Sequence, residues 1–384
     1  MKVAMDYFVT PSVRSAVMKV LRQEKVEGHE QEESFVKEYC KHFGRKFAIA
    51  VSSGTAGLQC ALLACNVGRD NEVILPPNTD WSVLYSVLYT GAHPVFSDVE
   101  YDTQNLDPAL IEEKITPRTK AILAISTAGH PMNFEPLLDI AKSHNLMVVN
   151  DGCQALGARY KGEYAEICGD ISVSSFGYRK HLAAGHLGIV ATDNEELAEK
   201  THEYSHQGEG ESYHPNPLQN YINPLYANFD TPGFMYGPSE LHCAVGRVQL
   251  KKFVTGSLGS EKRRRNAAYY TKSLNAKLPY IGTPIEKDWA YHTYLRYIIR
   301  VKQRNELFSY LRKKDIEAFI HYSTPLPSYT LYPHQDDSWK QKFPVTYKLS
   351  KEVLTLPSWP TLTSNQREYV VNSLVEFYKP KRSK

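Results

Sequence analysis

The most informative part of the sequence runs Leu146-Met-Val-Val-Asn-Asp-Gly-Cys-Gln154 and resumes with Ile171-Ser-Val-Ser-Ser-Phe-Gly-Tyr-Arg-Lys180. Each segment begins with a short apolar or alternating run and ends in polar residues, which predicts two strands of a mainly parallel sheet. In open α/β sheets, ligands bind beyond the carboxyl ends of the strands. Asp151 and Lys180 are therefore predicted to meet in one site.

An acid and an amine in this arrangement suit a pyridine-aldehyde cofactor. The amine of Lys180 would form a Schiff base with the aldehyde, and Asp151 would keep the ring nitrogen protonated, so that the ring withdraws electrons. Gln154 could donate a hydrogen bond to a ring hydroxyl, and Ser175 is positioned for a phosphate oxygen. Taken alone, each residue has a simpler interpretation, since most lysines are solvated and aspartates often cap turns or helices.

A second candidate site is the turn Ser52-Ser-Gly-Thr-Ala56, which follows the apolar run Phe47-Ala-Ile-Ala-Val51 and precedes a helical pattern. Gly54 permits close approach of the backbone to a ligand, and the start of a helix offers free N–H groups to an anion. Thr55 adds a hydroxyl. An ordinary helix cap would look the same in sequence. The turn lacks the lysine of a P-loop and the glycine spacing of a dinucleotide site.

Trp81 follows Pro76-Pro-Asn-Thr-Asp80 where a strand pattern changes to a helical one. An aromatic side chain at this edge could stack on a flat cofactor ring. A partly buried core tryptophan is the alternative interpretation.

Composition narrows the class of protein. The chain has 384 residues, of which 42% are hydrophobic and 23% charged, with a net charge of +3. This is typical of a globular protein and gives no reason to expect nucleic acid as a partner. Six cysteines show no CxxC pair and no Cys/His spacing for a metal. With no apolar run long enough for a signal or a membrane span, we expect a cytoplasmic protein without a membrane partner.

The pattern of apolar runs predicts two domains. Strands and helices alternate over residues 1–245, which indicates a large α/β domain. Residues 246–384 are predicted to form a linker helix and a smaller α+β domain. The segment 206–234 is rich in Gly, Pro, Asn and Tyr and is expected to be a functional loop or a subunit contact. The same patterns predict helices over 108–114, 134–143 and 304–313 and strands over 294–300 and 317–321.

Together these segments resemble the pyridoxal-phosphate-dependent sugar aminotransferase family of the DegT/StrS type, which has fold type I. The resemblance extends almost from end to end and implies a mainly parallel seven-stranded sheet with a smaller C-terminal domain. In chain order the matching segments are Ser52-Ser-Gly-Thr-Ala56, Gly91-Ala-His-Pro-Val-Phe-Ser-Asp98, Thr116-Pro-Arg-Thr-Lys-Ala-Ile122, Gly129-His-Pro131, Asp151-x-x-Gln-Ala-x-Gly157, Ser175-Phe-x-x-x-Lys180, Ser239-Glu-Leu241, Arg264-Arg-Asn266, His321-Tyr322 and Leu354-Thr-Leu-Pro-Ser-Trp-Pro360.

The resemblance also implies a role for each candidate residue. Lys180 would be the catalytic residue, which binds the cofactor and then carries a proton between cofactor and substrate carbons. The other implied cofactor contacts are Asp151 at the ring nitrogen, Gln154 at the phenolic oxygen, Trp81 on the ring face, and Gly54, Thr55, Ala56 and Ser175 at the phosphate.

Members of this family usually transfer an amino group from glutamate, or sometimes glutamine, to a keto-sugar on a nucleotide diphosphate or to a keto-cyclitol. The implied pathway is aminosugar biosynthesis. Members are homodimers whose active sites take residues from both subunits, so a second copy of the chain is an expected partner.

The sequence departs from the family pattern at two places. The usual G-x-N-x-R segment reads Gly233-Phe-Met-Tyr-Gly237, and the usual G-E-G-G reads Gly185-His-Leu-Gly188. The resemblance implies that these changes alter anchoring of the phosphate across the dimer and the choice of substrate. Two alternatives stay open at this stage. One is a sugar dehydratase, in which a histidine replaces the lysine, and the other is a degenerate member that only binds a ligand.

Overall fold

The structure is a computed structural model that describes residues 1–4, 9–23, 29–208, 231–256, 259–329 and 338–379. Helices α1 to α12 of these residues are, in chain order, Pro11–Leu21, Glu30–Phe43, Gly54–Ala64, Trp81–Leu88, Phe134–Ser143, Glu195–Ser205, Glu240–Val254, Ser260–Lys277, Arg304–Lys313, Trp339–Lys342, Pro344–Glu352 and Ser364–Tyr378. Strands β1 to β12 are Phe47–Val51, Glu72–Leu75, His93–Phe96, Thr119–Ile125, Met147–Asp151, Arg159–Tyr160, Glu163–Tyr164, Ile171–Ser175, Gly188–Thr192, Ala290–Tyr291, Tyr297–Arg300 and Val353–Leu356.

A seven-stranded sheet with the order β1-β9-β8-β5-β4-β2-β3 forms the centre of the molecule. The neighbours from β8 through β5, β4 and β2 to β3 are all parallel. Strand β9 is antiparallel to both β8 and β1, so β1 runs in the same direction as β8. The predicted mainly parallel seven-stranded sheet is confirmed, and six of its strands end at one common edge.

One face of the sheet is covered by α3, whose small and apolar residues make it almost entirely buried. A β-carbon on Gly57 would lie 2.9 Å from Val173 Cγ1, so the helix axis lies very close to the sheet. Leu58 and Leu62 pack in the same core cluster as Val73. This packing fixes the start of α3 relative to the ends of β1 and β8.

The opposite face is covered by α5, which has the bounds that its sequence pattern predicts, 134–143. Phe134, Leu137 and Ala141 are the buried side of this amphipathic helix. They pack in a cluster with Ile122 and Val148 of the sheet.

The C-terminal part has its own core around the antiparallel pair β11–β12 and helices α8, α9 and α12. Val3, near the N-terminus, is also buried in this core and bridges Ile316. The domain limits 1–245 and 246–384 stay a prediction. The segment 206–234 lies mostly outside the described residues.

The structure differs from three of the local predictions. Residues 108–114 form two 3₁₀ turns, Pro108–Leu110 and Glu112–Lys114, in place of one helix. The strand predicted over 294–300 begins only at Tyr297, because Tyr294 has a φ of 48°, in the left-handed region.

The strand predicted over 317–321 is also wrong. In this region Ile316 bridges Val3, whereas Phe319 bridges Thr355. Because the backbone changes partner within three residues, no continuous ladder of hydrogen bonds forms there.

Candidate active site

The candidate site lies at the edge where the parallel strands end. Asp151 is the last residue of β5 and Ser175 the last residue of β8, while the turns after β1 and β2 lead into α3 and α4. Because these strands run in one direction, residues that are far apart in sequence come together at this edge.

Asp151 is buried at this edge, with only 2% of its surface exposed. Its Oδ1 accepts a hydrogen bond from the Cys153 backbone N–H at 2.9 Å. Burial raises the pKa of Asp151, while the hydrogen bonds from Cys153 and the positive charge of Lys180 oppose the rise. The carboxylate and the Lys180 ammonium are therefore close enough to interact.

Lys180 is half-buried and lines a cleft of ≈ 100 Å³ between the end of β8 and the C-terminal part. His321 and Arg296 line the same cleft. Burial, together with the positive charges of Arg296, Arg179 and Lys180, lowers the pKa of His321 from its usual value near 6.5 to about 2. The imidazole is thus neutral at physiological pH, and it forms a 2.9 Å hydrogen bond with Thr355 Oγ1.

The turn before α3 packs tightly on the end of β8. Ser53 caps the helix, with its Oγ accepting a hydrogen bond from the Ala56 N–H at 3.1 Å. A β-carbon on Gly54 would lie 2.9 Å from Ser175 Cβ, and one on Gly188 would lie 2.6 Å from the Ser53 carbonyl carbon. The structure thus brings Gly54, Ser175 and the first turn of α3, with Thr55 and Ala56, into one place. This tight turn, the helix start and the hydroxyls of Thr55 and Ser175 fit a phosphate group.

Gln154 is also buried, with 3% of its surface exposed. Its Oε1 accepts hydrogen bonds from the Ala128 N–H at 3.1 Å and from Arg296 Nη1 at 2.7 Å. Its Nε2 donates to the Tyr322 hydroxyl at 3.3 Å. The amide is therefore held by side chains of the C-terminal part.

Sequence reasoning did not find Arg296, and it gave no role to Tyr322, although Tyr322 belongs to the matching segment His321-Tyr322. Arg296 and Tyr322 lie 142 and 168 residues from Gln154 in the chain, so no local spacing connects them with it. The sequence did contain one indication that Arg296 has a polar partner. Arg296 interrupts the otherwise uncharged run Tyr294-Leu-Arg-Tyr-Ile-Ile299, and a cation within such a run needs a polar partner.

Trp81 is the first residue of α4, and 57% of its surface is exposed. The exposure argues against a core residue and leaves the ring available for stacking. Asp80 caps this helix, its Oδ1 accepting from the Ser82 N–H at 3.0 Å, and its negative charge raises the pKa of Asp151. The turn that carries Trp81 therefore lies near Asp151.

The same turn holds polar side chains that fit a bound ligand. Asn78 and Thr79 are 1% and 2% exposed, and within the described ranges neither side chain has a hydrogen-bond partner. Buried polar groups usually have partners, which are supplied by protein, water or ligand.

The residues that depart from the family pattern lie close to the α3 turn. The backbone N–H of Ser52 donates to the Tyr236 carbonyl at 2.7 Å, and the neighbouring Met235 is 82% exposed. His186 is exposed, whereas Leu187 is fully buried in the core with Phe35.

The described residues contain neither a metal-binding cluster nor a helix that could span a membrane. No group of three or more His, Cys, Asp or Glu side chains there could hold a metal ion. None of the helices in that part of the chain has the length and apolar character to cross a membrane.

Comparison with known proteins agrees with this geometry. A model of the DegT/DnrJ/EryC1/StrS aminotransferase family matches residues 10–375. The GDP-perosamine synthase of Escherichia coli O157:H7 is 32% identical over 343 residues, which cover 88% of this chain and 87% of the synthase. The dTDP-3-amino-3,6-dideoxy-alpha-D-galactopyranose transaminase of Aneurinibacillus thermoaerophilus is 31% identical over 347 residues, which cover 89% of this chain and 88% of the transaminase.

Among solved structures, that of ntda from Bacillus subtilis with bound cofactor PMP is 27% identical and superposes with a TM-score of 0.84. The match covers 95% of this chain and 81% of ntda. The protein is thus an aminotransferase. It belongs to the DegT/DnrJ/EryC1/StrS aminotransferase family, which is pyridoxal-phosphate-dependent.

Proposed function

We propose that this enzyme moves an amino group from glutamate or glutamine to one of two kinds of acceptor. The acceptor is either a nucleotide-linked keto-sugar or a keto-cyclitol. The observation that carries the proposal is that Lys180, which lines the cleft, lies close enough to the buried Asp151 for their charges to interact. A nucleotide-linked acceptor is supported by the names of two relatives, a GDP-sugar synthase and a dTDP-sugar transaminase.

Pyridoxal phosphate supplies, when bound, an aldehyde that holds the amino group and a ring that withdraws electrons. The residues of this chain have the following proposed roles. Lys180 holds the cofactor and moves a proton at the reacting carbon, and Asp151 keeps the ring nitrogen protonated. Gln154 orients the phenolic oxygen and Trp81 covers one ring face. The phosphate is held at the start of α3, by Gly54, Thr55, Ala56 and Ser175.

The positions of Lys180 and His181 favour an aminotransferase over a dehydratase. Lys180 lines the cleft, whereas His181 is 6% exposed and packs edge-on against Phe253, with 6.4 Å between ring centroids. Burial and the positive charges of Arg263 and Lys180 keep the pKa of His181 well below its usual value. A buried, neutral imidazole is poorly placed to replace the lysine in proton transfer.

We also infer that the enzyme is a cytoplasmic homodimer. Large apolar side chains near the site are exposed in the single chain, among them Trp81, Tyr178 and Met235, at 57%, 65% and 82%. Exposed apolar groups of this size favour a protein partner. All six cysteines are unpaired, which is typical of a reducing compartment. Sedimentation at several protein concentrations tests the dimer, and a concentration-independent monomer would exclude it.

The function is tested with the protein loaded with pyridoxal phosphate. After incubation with glutamate or glutamine, keto-sugars, nucleotide-linked keto-sugars and keto-cyclitols are screened by mass spectrometry for replacement of a ketone by an amine. Lys180→Ala and Lys180→Arg should abolish the product. Borohydride reduction should link the cofactor covalently to the peptide that contains residue 180 in the wild-type protein. It should give no such link in either Lys180 variant. Turnover by Lys180→Ala at the native rate would exclude the mechanism.

A further inference from the structure

Arg296 lies immediately before β11 and reaches the candidate site from the C-terminal part. Its Nη1 donates to Gln154 Oε1 at 2.7 Å and to the Tyr322 hydroxyl at 3.1 Å. The Cζ atom of the guanidinium also lies over the Tyr322 ring, 5.6 Å from the ring centroid. Arg296 lines the same cleft as Lys180 and is half-buried.

The charge of Arg296 is not balanced within the site. In the described ranges no carboxylate oxygen lies within 4.0 Å of its guanidinium, and both of its hydrogen-bond acceptors are neutral. Arg179, in the same cleft, differs because its Nη2 lies 2.6 Å from Glu317 Oε1. A partly buried guanidinium without a counter-charge costs free energy and attracts an anion.

The geometry of the donors favours a carboxylate. Nη1 donates both of these hydrogen bonds, whereas Nε and Nη2 of Arg296 have no hydrogen bond to the described part of the chain. A guanidinium edge with two parallel N–H groups matches the two oxygens of a carboxylate.

The contact with Gln154 indicates which carboxylate this is. In pyridoxal phosphate the aldehyde and the phenolic hydroxyl are on adjacent ring carbons, and Gln154 is the proposed partner of the hydroxyl. A cation bonded to Gln154 is therefore beside the carbon that gives or receives the amino group. In an amino acid that carbon bears a carboxylate, whereas in a keto-sugar it bears neutral substituents.

We propose that Arg296 binds the α-carboxylate of the amino donor, an inference that rests on the proposed aminotransferase function. The residue then selects α-amino acids as donors. In the second half-reaction, when the neutral sugar occupies the same place, Arg296 keeps its hydrogen bonds to Gln154 and Tyr322. The enzyme accordingly takes nitrogen from an amino acid and does not use simple amines.

The test compares three donors in single-turnover reactions of the loaded enzyme, followed through the cofactor's visible absorption. The donors are L-glutamate, isoglutamine, in which the α-carboxylate is an amide, and L-glutamine, in which the γ-carboxylate is an amide. The wild-type enzyme should prefer glutamate over isoglutamine by about 100-fold, which is the scale expected for a charge-assisted bidentate contact. In Arg296→Met and Arg296→Gln this preference should fall to less than about threefold, with the preference between glutamate and glutamine unchanged.

A binding measurement provides a readout without turnover. The dissociation constant of 2-methylglutamate, which lacks the α-hydrogen, should rise about 100-fold in Arg296→Met. Arg296→Gln retains a donor toward Gln154 without the charge and should weaken binding similarly. The matched control, Arg179→Met, removes a cation of the same cleft that already has a carboxylate partner, and it should change the constant by less than about threefold.

Two results would overturn the proposal, and they are distinguishable. If Arg296→Met slows glutamate and isoglutamine equally, Arg296 only orients Gln154 and does not bind the donor. If the wild-type protein takes an amino group from no donor, the proposed function fails, and the inference on Arg296 fails with it.

Discussion

The α-carbon of Gly54 faces the side chain of Ser175 so closely that a β-carbon on Gly54 would lie 2.9 Å from Ser175 Cβ. The same β-carbon would lie 2.8 Å from Cys153 Sγ. Contacts this short do not occur between real β-carbons and their neighbours, so only glycine fits between the start of α3 and the end of β8. The close approach sets the distance between the α3 N-terminus and Ser175.

Gly54→Ala should therefore loosen the phosphate site. Displacing the turn costs about 1–3 kcal/mol, as overpacking usually does, and we expect the affinity for pyridoxal phosphate to fall about 10- to 100-fold. Equilibrium dialysis measures the affinity. The matched control is Gly68→Ala, whose β-carbon would meet nothing within 4 Å. Equal affinities in the two variants would contradict the prediction.

Asp151→Asn preserves the shape of the side chain and removes its charge. Because Asp151 is buried beside Lys180, the asparagine should keep the fold but no longer keep the ring nitrogen protonated. We expect the transamination rate to fall by about three orders of magnitude, with the cofactor still bound. The rate is measured in single turnovers with glutamate. A variant with the native rate would show that the carboxylate has another role.

Trp81 substitutions separate cofactor stacking from stability. Since 57% of the side chain is exposed, Trp81→Ala should change the free energy of unfolding of the apoprotein by roughly 0.5 kcal/mol or less. Loss of stacking should weaken cofactor binding by about three- to tenfold, and Trp81→Phe should restore most of it. Urea unfolding and cofactor titration check the two effects. A large loss of stability with unchanged affinity would instead indicate a packing role.

Glu166 should make stability depend on pH. The residue is 3% exposed, and burial raises its pKa to about 7, although a hydrogen bond from the Gly157 N–H opposes the rise. Its other oxygen, Oε2, has no partner within the described residues. Because the folded state holds the proton more tightly than the unfolded state, this contribution is complete below the ordinary pKa of 4.5 and is lost as the pH rises to about 7.

Glu166→Gln mimics the protonated acid and should remove this dependence. At pH 8 the variant should be more stable than the wild type by roughly 2–3 kcal/mol, and the difference should shrink toward pH 5. Urea unfolding at both pH values measures it. Glu163→Gln, at an exposed position in the neighbouring strand β7, is the control. A pH-independent difference would show that Glu166 is not the titrating group.

Much of the secondary structure followed from local patterns. The predicted helices at 134–143 and 304–313 have the bounds found in the structure, since their apolar periodicity and flanking residues are local properties. The strand predicted over 317–321 failed because its backbone pairs with two different partners, Val3 and Thr355, and pairing of this kind depends on distant residues. The family assignment rests on motifs spread through the chain and is confirmed.

By itself, the sequence determined the class of chemistry at this edge of the sheet. An acid after one strand and an amine after the next suffice for this prediction, because parallel strands deliver their carboxyl ends to one place. Only the tertiary structure decided what surrounds that pair. Arg296 and Tyr322 reach Gln154 from 142 and 168 residues away, and Gly188 closes on Ser53 from an antiparallel strand. Such contacts arise from the packing of the C-terminal part on the sheet, which no local pattern encodes.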